Sequence, residues 1–136
     1  MEEWSLRRLS LDEAAVFHGH LGPFLALGYR AGEIVVEILK PSSFNELKAV
    51  VRCPLKTPYS CFIDGVQCST CCTVGKRTLE IVEGDGITLE VEGPRGGRLR
   101  LKVREEAFSK IRSTNKLEEA ARWVLDAPLE ALFEIL

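Results

Sequence analysis

Polar and apolar positions change period twice along the chain. After Ser10, which can cap a helix, come Asp12 and Glu13 in the first turn and then the apolar Ala14, Ala15 and Phe17 on one side. The stretch His18-Gly19-His20-Leu21-Gly22-Pro23 breaks that helix, because two glycines and a proline so close together do not continue it. Pro23 suits the first position of a new helix, and Phe24, Leu27, Ala31, Ile34, Val35 and Ile38 recur at three- and four-residue spacing up to Lys40 and Pro41. This pattern predicts a long core helix.

The period then shortens. Residues 47–53 (LKAVVRC) have a β-branched centre and end at Pro54, which reads as a strand. Residues 54–76 have no clean period and are expected to form functional loop and short helix. Residues 78–82 (TLEIV), 87–92 (ITLEVE) and 98–104 (RLRLKVR) alternate apolar and polar side chains, and glycine-rich segments separate them. They predict three antiparallel strands joined by tight turns. From 105 to 136, apolar residues including Ala107, Phe108, Ile111, Ala120, Val124, Leu132 and Phe133 predict two or three short helices, with breaks near Asn115 and Pro128. The expected architecture is a single α+β domain over 1–136: a two-layer fold with a mixed or antiparallel sheet of about four strands covered by helices.

The 136 residues are 46% hydrophobic and 28% charged, with net charge -2 and pI about 5.8. Basic residues are interspersed with acidic ones, so neither nucleic acid nor anionic lipid is an expected partner. The start, MEEWSLRRLS, has no apolar run behind it, and no 18-residue apolar stretch occurs, so neither a secretory signal nor a membrane span is expected. That places the chain in the cytoplasm, where thiols stay reduced. Yet Cys53, Cys61, Cys68, Cys71 and Cys72 fall within twenty positions, and an odd cluster in a reducing compartment favours metal or thiol chemistry over a disulfide framework.

Both histidines, His18 and His20, lie in the first break. Imidazole and thiolate are the donors preferred by zinc and similar borderline metals. On a continuous helix the two rings would point about 200° apart, but a break at Gly19 lets both turn to one point. The helix starting near Pro23 would also aim its positive end at the same place. Taken separately, each half of this constellation has a plain structural explanation: a satisfied core histidine, or small buried thiols. Asp64 and Gln67 flank the thiols and could orient a ligand histidine or bind substrate, and Asp64 before Gly65 equally suits a turn. Gly75-Lys76 lacks the preceding glycine of a phosphate loop. Tyr29 and Arg30 either line the pocket or reach solvent, with solvent favoured for Arg30.

The phrase FHGHLGPFLALGYRAG resembles the opening motif of the FmdE family, which takes its name from formylmethanofuran dehydrogenase, and CFIDGVQCSTCCTVGKRTLEI is similar to the family's second motif. The resemblance, over roughly residues 10–105, implies an α+β fold, homodimers and a transition metal such as zinc, with nickel or iron as alternatives. Carried over residue by residue, it implies His18, His20, Cys61 and Cys72 as metal ligands. Two positions depart from the family. Gly22 stands where the family usually has cysteine, and Cys71 stands where it usually has glycine. Cys68 or Cys71 is then a candidate substitute ligand, or the site has become a dithiol.

Three functions follow. The first is a metal-binding accessory protein linked to one-carbon or molybdenum/tungsten enzyme metabolism, since the chain is too small to hold a pterin cofactor; a formylmethanofuran dehydrogenase-type enzyme or a small-molecule cofactor is its expected partner. The second is a metal-dependent enzyme acting on a small molecule, with His20 or Asp64 as acid or base. The third is a thiol-redox protein using Cys68, Cys71 and Cys72, which requires a lowered thiol pKa.

Overall fold

The computed structural model describes residues 6–136; the expectation of no signal sequence falls partly on residues 1–5 and so lies outside the described residues. Helix α1 (Leu11–His18) starts as expected, with a reciprocal cap: Glu13 N–H donates to Ser10 Oγ at 3.1 Å, and Ser10 N–H to Glu13 Oε1 at 2.8 Å. It ends at Gly19, whose φ of +111° suits glycine. Helix α2 (Pro23–Leu39) follows, with Pro23 in its first turn. Most of α2 is buried, though Ile38, counted with its core face from periodicity, is exposed.

Strand β1 (Lys48–Cys53) leads into α3 (Cys61–Thr70), then β2 (Leu79–Glu83), β3 (Thr88–Glu92) and β4 (Arg98–Val103). Helices α4 (Glu105–Ser113), α5 (Leu117–Asp126) and α6 (Leu129–Leu132) precede a last strand, β5 (Phe133–Ile135). Among the described residues the sheet is mixed and five-stranded, in the order β2-β1-β3-β4-β5. Its buried positions, among them Ala49, Val51, Leu89, Val91, Leu101 and Val103, face the helices. The opposite face carries cross-strand charge pairs, Arg98 to Glu92 at 3.0 Å and Arg100 to Glu90 at 3.4 Å.

Two expectations change. Only β3 and β4 form a hairpin; β2 does not pair with β3 but lies parallel to β1, which separates them. A strand that follows its neighbour through a helix returns parallel, and α3 is that crossover. The glycine segment after β2 then passes the end of β1, where Gly84 N–H donates to the Cys53 carbonyl at 3.1 Å. The carboxy-terminal part is also not wholly helical. Phe133 turns into β5, pairs with Val103 and covers the β4 edge, where an unpaired ladder would otherwise lie open.

Helices α2 and α3 touch through their backbones. A Cβ on Gly28 would stand 2.1 Å from the Phe62 carbonyl oxygen, and one on Gly65 would stand 2.3 Å from that of Leu25. Glycine at both places is what lets the two helices approach and so fixes the face that α3 turns to α1.

Candidate metal centre

The buried residues of α3 include Phe62, Gly65, Val66, Ser69 and Thr70, so its packing face is largely small and polar. Ser69 and Thr70 satisfy their hydroxyls on the carbonyls one turn back, at 2.8 and 2.7 Å. With that face committed, Cys61, Asp64 and Cys68, three and four residues apart, share another side. Helix α1 lies along it. Cys68 packs with Ala14, Tyr29 and Leu11, and one turn toward the start of α3 Asp64 meets His18. Four residues forward on α1 thus match four residues backward on α3, so the chain beyond His18 heads for the end where Cys61 stands.

The central contact joins His18 Nδ1 to Asp64 Oδ2 at 2.6 Å, with the His18 side chain 11% exposed and that of Asp64 34%. The bond holds the ring by one nitrogen and leaves Nε2 as the free donor atom. His20 is exposed, and its ring centroid is 5.1 Å from that of His18, edge to face. Gln67 extends the support: its amide reaches Asp64 Oδ1 at 3.4 Å while its carbonyl accepts from Val74 N–H at 3.0 Å. Cys61 opens α3 and is partly exposed; burial first and the Asp64 charge second push its thiol pKa up. A metal ion would have to displace that proton to gain the thiolate.

The other thiols disperse. Cys72 is fully buried in the main core, its Sγ donating to the Leu47 carbonyl at 3.5 Å. Cys71 Sγ donates instead to the Arg7 carbonyl at 3.2 Å. Cys61 and Cys72 stand at opposite ends of α3, whose ten residues span roughly 15 Å at the usual helical rise. Two thiolates on one zinc ion lie within about 4.6 Å, twice the Zn–S distance. Within one chain, therefore, the structure groups His18, His20 and Asp64 with Cys61 one turn away, and sets Cys72 apart.

The donor types fit a borderline transition metal: two adjacent imidazoles, one already oriented by a carboxylate, and a thiol at a helix start. Their present rotamers are not a closed shell, since among the described residues no three His, Cys, Asp or Glu side chains converge as a metal site. Exposed His20 and half-buried Cys61 are the groups that would turn inward.

In the dithiol arrangement, burial works against the lowered thiol pKa that redox chemistry needs. Burial, with Asp64 adding to it, pushes the Cys68 thiol up to about 11. Burial also raises Cys71 and Cys72, against the opposing pull of Lys76. Cys71 moreover sits at the carboxy end of α3, where the helix dipole disfavours an anion.

Of the remaining candidates, Tyr29 is buried and its hydroxyl donates to the Leu9 carbonyl at 2.7 Å. Arg30 does not simply reach solvent: its guanidinium donates to the carbonyls of Val124 and Ala127 at 2.7 and 2.5 Å, closing the end of α5. Lys76 donates to the Cys71 carbonyl and to Thr73 Oγ1, closing the end of α3. The spacing of Cys61, Asp64 and Cys68 was the one signal for the face that α3 offers α1. Nothing in the sequence separated Cys72 from it.

A family model described as "FmdE, Molybdenum formylmethanofuran dehydrogenase operon" matches residues 17–134. A curated protein of Archaeoglobus fulgidus, named "Probable S-adenosyl-L-methionine-binding protein", is 40% identical over 80 residues, covering 54% of this chain. The match spans only 20% of that relative's length. None of the helices among the described residues is long and apolar enough to cross a membrane.

Proposed function

This chain belongs to the FmdE family, and on that premise we propose that it is a metal-binding accessory protein of a formylmethanofuran dehydrogenase-type enzyme, using His18, His20 and Cys61 as ligands. The 2.6 Å contact between His18 and Asp64 carries the reading. A carboxylate that fixes a histidine by Nδ1 and leaves Nε2 free is the usual support of a metal-ligating imidazole. Two imidazoles and one thiolate suit zinc first, with nickel or iron as alternatives, and three protein ligands leave a fourth position for water or a small molecule. Cys72 is dropped from the ligand set because of its distance along α3. A homodimer is part of the reading, tested by sedimentation mass.

A second reading is supported by the Archaeoglobus relative, whose name points to S-adenosyl-L-methionine. Calorimetric titration with that compound tests it separately.

The metal reading is tested by dialysis of the purified chain against zinc under reducing conditions, followed by elemental mass spectrometry. Near-stoichiometric zinc is expected in the wild type and in Cys72→Ala, and its loss in His18→Ala and His20→Ala. Zinc retained by both histidine variants would overturn the ligand assignment.

A further inference from the structure

We propose that a pocket beside the carboxy end of α3 binds a small organic anion with an apolar body. The pocket has a volume of about 520 Å³ and is lined in part by Leu9, Phe17, Phe44 and Cys68. That size and that apolar lining are typical of small-molecule sites. Its charged lining residues are Arg7 and Lys76, and no carboxylate lines it among the described residues. Arg7 and Lys76, with no carboxylate beside them among the described residues, favour a ligand that is itself apolar and negatively charged, and Lys76, by capping the Cys71 carbonyl, offsets the helix end that would otherwise oppose an anion.

Lys76 is held for this task. Its ammonium has three donors, and the Cys71 carbonyl and Thr73 Oγ1 take two of them, which fixes the side chain and leaves one N–H for an anion. Arg7 comes from a different part of the chain, and Cys71 Sγ donates to its carbonyl, tying that segment to the pocket wall. None of His18, His20 or Cys61 lines this space, so it is a second site and does not depend on the metal reading. Gln67 lies between the two: it lines the pocket and also contacts Asp64.

The test uses 1-naphthoate as the anionic probe and 1-naphthamide as its neutral counterpart, by calorimetry on chelator-treated and on zinc-dialysed protein. One molecule of 1-naphthoate per chain is expected, with affinity about tenfold above that of 1-naphthamide. It should slow alkylation of Cys71, read by peptide mass spectrometry. Arg7→Gln and Lys76→Gln should each weaken binding about tenfold. Should Lys76→Gln fail to fold by circular dichroism, Arg7→Gln decides alone. Equal affinity for the amide, unchanged binding in the folded variants, or no protection of Cys71 would overturn the proposal. Binding that is the same with and without the chelator separates this site from the metal centre.

Discussion

The imidazole of His20 lies over Gly22, so that a Cβ on residue 22 would meet the ring's Cε1 at 3.3 Å and its Nδ1 at 3.7 Å. The family's usual cysteine at this place would thus put its thiol beside His20, in the group that His18 and Asp64 already anchor. Gly22 has φ -122° and ψ 167°, a conformation open to any residue, and exposed His20 has room to yield. Gly22→Cys is therefore expected to fold and to raise zinc affinity at least about tenfold, as a further thiolate ligand should. Competition against a chromophoric chelator measures it, and an unchanged affinity would separate Gly22 from the centre.

The approach of α2 to α3 rests on Gly65 as well as Gly28. A methyl at 65 would stand 2.3 Å from the Leu25 carbonyl oxygen and 2.5 Å from Tyr29 N, both backbone atoms that no side-chain rotation can move. Gly65→Ala is expected to cost about 3 kcal/mol, at the upper end for overpacking. Urea unfolding reads the loss, whereas a cost below about 1 kcal/mol would mean that the helices separate easily.

Cys71 occupies a left-handed conformation, φ 67° and ψ 5°, at the carboxy end of α3. Glycine takes this position without steric cost, while other residues lose about 1–2 kcal/mol there. Cys71→Gly forfeits the thiol's hydrogen bond to the Arg7 carbonyl but relieves the strain, for a net gain of about 1 kcal/mol. A higher urea midpoint is expected; a lower one would give the thiol contact the greater weight.

Alkaline pH should weaken the fold. Burial, with the Glu83 charge added, pushes the Cys53 thiol from 9.0 to about 11. Between those values the unfolded chain releases the proton and the folded chain keeps it, so the unfolded state binds fewer protons and stability falls as pH rises. The contribution is fully present below about pH 9 and lost through about pH 11. For a group this deeply buried it amounts to about 2–3 kcal/mol, at 1.36 kcal/mol per unit of separation. Urea midpoints from pH 8 to 11 should decline in the wild type and decline less in Cys53→Val. Parallel declines would assign the effect to other groups.

How much of this was legible depended on which side chains did the packing. Apolar periodicity marks α2, because Leu27, Ala31, Ile34 and Val35 fill the main core. It marks α3 poorly, because Gly65, Ser69 and Thr70 make much of that packing face and no hydrophobicity pattern registers them. The crossover to β2 leaves no apolar pattern for the same reason: without a marked α3, the alternating stretch after it has the pattern of the first arm of a hairpin. In the site, the histidine pair and Asp64 were visible as residue types, and the possibility that Asp64 orients a histidine matches the contact found. The separation of Cys61 from Cys72 was not visible, because only the length of an intervening helix reveals it.

The proposed ligand set binds one ion through His18, His20 and Cys61 while Asp64 holds His18 in place. X-ray absorption spectroscopy of the zinc-loaded protein reads that set at the metal itself. The predicted shell has two imidazole nitrogens near 2.0–2.1 Å and one sulfur near 2.3 Å, with the sulfur lost in Cys61→Ala and kept in Cys72→Ala. A shell without imidazole scattering, or a sulfur that disappears in Cys72→Ala and stays in Cys61→Ala, would exclude that ligand set.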